Sequence, residues 1–142
     1  MGSDISGPLR RAVADRAAGR CEYCLLHEED SYSPHQIDHI VSRKHGGLSS
    51  FDNLAYACVR CNVWKGSDVG SIDNQSGKLV RLFHPRLQQW DDHFALQGVV
   101  IKPLTAEGEA TVRLLKLNLD KRLAERRILA AAGRYPRPSG SV

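Results

Sequence analysis

Four cysteines, arranged as Cys21-x-x-Cys24 and Cys58-x-x-Cys61, constrain this chain more than any other feature. In a reducing compartment paired disulfides are disfavoured, and a thioredoxin-like redox site would use one such pair beside a βαβ pattern. Two knuckles of this spacing can instead wrap one tetrahedral Zn²⁺ with four thiolates. Two unrelated pairs are the competing reading. The 33 residues between Cys24 and Cys58 exceed the usual separation of ~15–20 residues, so something has been inserted between the knuckles. Cys21, Cys24, Cys58 and Cys61 are therefore expected to hold a structural zinc that clamps the two ends of a small unit.

The order of elements inside that clamp is legible. Residues 36–41 read as a strand, residues 43–53 as a loop rich in Gly, Ser, Asp and Asn, and residues 54–57 as a second short strand. Asn62 to Lys65 open a helical turn that stops near Gly66. Upstream, residues 8–18 carry an apolar stripe of Leu9, Ala12, Val13 and Ala17, with Pro8 at the start and Gly19 at the stop of a helix. Downstream, residues 67–77 read as loop and 79–83 as a strand. Residues 93–96 and 99–102 form a hairpin turned at Gly98. Thr105 caps a helix over 106–131, broken near Asn118, with Val112, Leu115, Leu119 and Leu123 on one face. The tail, 134–142, is expected to be disordered. The predicted class is α+β, in a single domain spanning 1–142. Its finger covers about 20–67 and its C-terminal extension about 78–131.

Four polar residues inside the clamp carry chemistry: Asp38, His39, Asn53 and Asn62. Asp38 is a hard oxygen ligand suited to Mg²⁺ or Mn²⁺. His39 offers an imidazole that can deprotonate a water. Asn62 directly follows the last cysteine, so a zinc would fix its position. Together they have the parts for metal-assisted phosphodiester hydrolysis. Neighbours on a regular strand point to opposite faces. Asp38 and His39 can serve one phosphate only from a strand end, a twist or a bulge.

The stretches "RCEYC", "IDHIVSRKHGG" and "FDNLAYACVRCNVWKGS" resemble the HNH endonucleases, in the subgroup with CxxC zinc knuckles. "LFHPRLQQWDDHF" and "LTAEGEATVRLLKLN" resemble an extension of small stand-alone bacterial members. The resemblance implies a ββα-metal finger with a four-cysteine zinc site. It implies His39 as the general base, Asn53 as the residue that orients the imidazole, and Asp38 and Asn62 as ligands of a catalytic Mg²⁺ or Mn²⁺. Several members carry His at the third motif position and a further His one turn on. Asn62 and Gly66 stand there instead, the His-Asn-Asn variant, and the all-oxygen ligand set favours Mg²⁺ or Mn²⁺ over Zn²⁺ at the catalytic position.

The formal charge of +4 suits a phosphate-binding surface without requiring one. Arg43, Lys44, Arg60 and Lys65 flank the candidate site in sequence and are the expected DNA contacts. Phe83, Trp90 and Phe94 are expected to pack a core. Arg113, Lys116, Lys121, Arg122, Arg126 and Arg127 are expected on a solvated helix face. No apolar run reaches the ~20 residues of a bilayer-spanning helix, and no hydrophobic leader core is present, so a cytoplasmic location is the default. The expected function is a metal-dependent DNA endonuclease, monomeric or homodimeric, with double-stranded DNA as substrate and RNA still open. The rival is a non-catalytic zinc-ribbon nucleic-acid-binding module.

Overall fold

The computed structural model describes residues 5–138. It is α+β, built from three separate two-stranded antiparallel sheets and five helices among the described residues. Helix α1 (Gly7–Arg16) is capped by the Ser6 hydroxyl, which accepts from the Leu9 amide, and starts on Pro8. Its stop comes where Ala18 and Gly19 turn into the left-handed region. Strand β1 (Gln36–His39) pairs with β2 (Leu54–Ala57), with Asp38 opposite Ala55 and His39 opposite Leu54.

Alternation along this ribbon sorts its side chains between two cores. Leu54 and Tyr56 pack with Val13 and Ala17 of the α1 side, and Ile37 joins them. Ala55 and Ala57 face the larger core, which holds the four cysteines, Tyr23, Phe83, Phe94, Leu115 and Leu117. Asp38, opposite Ala55, therefore shares the larger core's side, and His39, opposite Leu54, shares the α1 side. Helix α2 (Val59–Lys65) follows β2 directly and stops at Gly66, as the sequence predicts.

The segment expected as loop over 67–77 contains a strand. β3 (Gly70–Ile72) pairs with β4 (Leu79–Arg81), and Asp73 closes the turn by accepting from both the amide and the hydroxyl of Ser76. Three residues per strand give too short a period for the sequence to register. Helix α3 (Trp90–His93) leads into the predicted hairpin, β5 (Phe94–Gln97) and β6 (Val100–Pro103), turned at Gly98 with φ +61°. Phe83, Trp90 and Phe94 pack together as expected, Phe83 edge-on to Phe94 at 5.3 Å and Trp90 tilted against Phe94 at 5.0 Å between centroids.

The expected long helix divides into α4 (Ala106–Leu114), capped by Thr105, and α5 (Asp120–Ala131). At the break Lys116 takes a left-handed φ of +51°, and the Asn118 side chain exchanges two hydrogen bonds with the Ile101 backbone, at 2.9 and 2.8 Å. Two expectations fail on this side of the molecule. Arg122 and Arg126 are buried, not solvated, because α5 packs against the core that holds the cysteines. The start of the tail is ordered: Tyr135 is buried and donates to the Cys24 carbonyl, and Arg134 and Arg137 pair with Asp30 and Glu29. An aromatic ring and opposed charges tie down a stretch whose Pro-rich composition suggested disorder. Residues 139–142 lie outside the described residues.

Candidate active site and metal centre

The two knuckles converge. The sulfurs of Cys21, Cys24, Cys58 and Cys61 all lie within 4.8 Å of one another, and all four residues are buried. A tetrahedral ion ~2.3 Å from each sulfur sets neighbouring sulfurs about 3.8 Å apart, and Cys24 and Cys58 stand at 3.7 Å. None of the four is in a disulfide. Each first cysteine of a knuckle accepts from the amide of the second, Cys24 to Cys21 at 3.5 Å and Cys61 to Cys58 at 3.4 Å. Burial pushes the Cys21 and Cys61 thiols up, whereas hydrogen bonds from the other three hold Cys24 well below its usual range. The cluster has the number, softness and spacing of donors that a zinc ion takes.

The clamp aligns α2 against β1. Asn62 and Lys65, three positions apart, share one face of α2; Gln36 and Asp38 share one face of β1. They meet as two rungs. The Asn62 side-chain amide donates to Gln36 Oε1 at 2.5 Å, and the Lys65 ammonium donates to Asp38 Oδ1 at 3.2 Å. Asp38 also accepts from the Tyr23 hydroxyl at 2.8 Å. Burial pushes the Asp38 carboxyl up, and Lys65 and Tyr23 offset part of that rise. Lys65 further donates to the backbone carbonyls of His39 and Ile40, both at 3.2 Å. It thereby pins the end of β1, where His39 sits.

His39 is the last residue of β1, half-buried, with its Nε2 2.8 Å from the Ser49 hydroxyl. The loop that carries Ser49 is stapled by Asn53. Asn53 Oδ1 accepts from the Val41 amide at 2.9 Å, and its Nδ2 donates to the carbonyls of Val41 and Leu48 at 2.9 and 2.8 Å. Gly47 lies so close that a β-carbon there would stand 1.7 Å from the Val41 oxygen. These Asn53 side-chain bonds all go to backbone and none to the imidazole, whose partner is Ser49.

The structure thus sets a cysteine tetrad beside an Asp-His strand end, with Asn53 bonded to the loop and Asn62 to Gln36. Residues 21–68 match the model of the HNH endonuclease family. No curated protein and no solved structure matches the chain. The match implies nuclease-type chemistry in general, and the cysteine tetrad agrees with the zinc-knuckle subgroup. Among the described residues, no helix is long and apolar enough to cross a membrane.

One of the four expected DNA contacts in and around the matched segment is out of reach. Lys65 is fully buried, so it cannot meet a phosphate; its charge is directed at Asp38. Arg60 forms a two-pronged bridge to Glu125 of α5, at 2.6 and 2.8 Å. Arg43 and Lys44 lie in the 3₁₀ turn Arg43–His45, just past the end of β1, with Lys44 exposed and Arg43 exposed beside it. Sequence reasoning missed Ser49, Tyr23 and the inward course of Arg122. Ser49 sits in a Ser-rich loop with nothing to single it out. Tyr23 lies between the first two cysteines, and an aromatic ring inside a knuckle is a signal of burial. Arg122 carries no such signal, because a helix full of cations gives each one the same local pattern.

Proposed function

We propose that the HNH segment is the catalytic core of a metal-dependent DNA endonuclease, with His39 as general base and Asp38 and Asn62 as the protein ligands of one divalent ion. The observation that carries this reading is the alternation at the end of β1. In-line displacement at phosphorus needs the attacking and leaving oxygens on opposite sides of one atom. His39 and Asp38, successive residues of a terminating strand, present a base and an oxygen donor to opposite faces. A phosphate at the strand end would meet His39 directly, while Asp38, buried with Lys65 on the other face, would act on it only through the ion.

The donors suit a hard ion. A carboxylate offers about four lone-pair sites, so Asp38 keeps acceptor capacity beyond Tyr23 and Lys65, and Asn62, half-buried, is the ligand that an ion from solvent reaches first. Oxygen-only ligands favour Mg²⁺ or Mn²⁺. When bound, the ion supplies Lewis-acid polarisation of the phosphate and stabilises the departing oxygen. The chain's own residues do the rest. The Ser49 hydroxyl fixes the ring of His39, the imidazole takes the proton of the attacking water, and Asn53 keeps the loop from drifting. Arg43 and Lys44 hold the adjoining phosphates, and zinc in the cysteine tetrad keeps α2 in register with β1.

Plasmid cleavage in Mg²⁺ or Mn²⁺, set against EDTA, tests the reading. His39→Ala should abolish cleavage while DNA binding and zinc content persist. Undiminished cleavage by that variant refutes the assignment. A wild-type chain that binds DNA but never cuts would favour the zinc-ribbon binding module, and cleavage confined to RNA would replace the substrate.

A further inference from the structure

Arg122, on α5, stands far along the chain from the family match, yet its side chain enters the cysteine cluster. It is 4 % exposed. One guanidinium nitrogen donates to Cys61 Sγ at 3.1 Å and reaches Cys58 Sγ at 3.8 Å. The other donates to the carbonyl of Leu115 at 2.8 Å and reaches that of Lys116 at 3.4 Å. No carboxylate forms an ion pair with it among the described residues. Leaving a guanidinium buried without an anion is strongly unfavourable, and the anions at hand are cysteine sulfurs.

Four thiolates around one Zn²⁺ leave two negative charges in a buried core. We propose that Arg122 is the counter-charge of this cluster, a positioning residue that donates N–H···S bonds to Cys61 and Cys58 and so ties the metal's affinity and electronic character to the C-terminal extension. It rests on the zinc reading of the tetrad. The guanidinium is a rigid fork with several donors. One arm takes sulfur while the other is anchored on the carbonyls of the turn between α4 and α5. Residues outside the ligand shell that hydrogen-bond ligands tune a metal in this way.

Arg126 provides the matched control. It lies one turn further along α5, is also buried, and bonds only to oxygens: the Val99 and Leu117 carbonyls and Asn118 Oδ1. The full-length chain is loaded with Co²⁺ in place of zinc, and the sulfur-to-cobalt charge-transfer band and the affinity in chelator competition are read. Arg122→Gln should move the band to lower energy, because sulfurs that lose N–H donors give up electrons more readily. Affinity should fall about 10- to 100-fold, the usual effect of removing such a partner. Arg126→Gln should destabilise the fold but leave the band in place. Should Arg122→Gln fail to load cobalt, Arg122→Lys is read instead: it keeps the charge but cannot span both sulfurs and carbonyls, so a smaller shift in the same direction is expected. An unmoved band in the Arg122 variants, or an equal shift in Arg126→Gln, overturns the proposal. A wild-type chain without a thiolate charge-transfer band overturns the zinc reading beneath it.

Discussion

Replacing Lys65 by methionine separates a buried structural cation from a surface contact with nucleic acid. Methionine keeps most of the length and the apolar stem and removes the ammonium. In the folded chain that ammonium serves the Asp38 carboxylate and the carbonyls of His39 and Ile40, and both charged side chains are 3 % exposed or less. Removing one partner of a buried pair costs about 3–5 kcal/mol, because the other charge is left uncompensated. At roughly 2–4 °C per kcal/mol for a chain of this size, the midpoint of thermal unfolding should fall by about 6–20 °C. Asp38 also loses the strongest influence opposing its upward shift. With the folded-state pKa above that of the unfolded chain, stability falls as pH rises through that interval, so the variant should suffer less on the acid side of neutral. Adding Asp38→Asn to Lys65→Met removes the orphaned charge and should recover much of the loss. Circular dichroism of zinc-loaded protein compares the parent with both variants. A loss under about 1 kcal/mol, the range of an exposed side chain, joined to a drop of about one in the salt slope of DNA binding, would refute the buried-pair account and return Lys65 to the surface.

Two further outcomes follow from the contacts around the site. Asn53→Ala strips three hydrogen bonds from the loop backbone and should cost about 1–3 kcal/mol; its larger effect should be on the cleavage rate, because Ser49 no longer steadies His39, and an unchanged rate would separate Asn53 from the base. Tyr135→Ala removes a buried ring and its bond to the Cys24 carbonyl; a loss of about 3–5 kcal/mol is expected for an aromatic truncation, and a melting curve identical to the parent's would show that the segment does not dock.

Much of the active-site region could be read from the sequence because its signals are local. The two CxxC pairs, the Asp-His pair, the Gly-Gly loop and the Asn that follows Cys61 each constrain geometry within a few residues. Their order alone gives strand, loop, strand and helix. Alternation at Asp38 and His39 could be foreseen from the pleat, and β1 does end at His39. The break near Asn118 was legible too, although the Asn118 bonds to Ile101 that accompany it were not.

The sequence by itself determined which chemical groups the chain owns and the local elements that carry them: a thiol tetrad, an imidazole, oxygen donors and a hairpin. Only the tertiary structure decided the fate of the charges. Lys65 meets Asp38 across 27 residues, Arg60 meets Glu125 across 65, and Arg122 meets Cys61 across 61. A cation's identity carries no record of its partner. Whether it faces water, a carboxylate or sulfur is fixed when helices pack and desolvate it, and burial then makes the nearest anion obligatory.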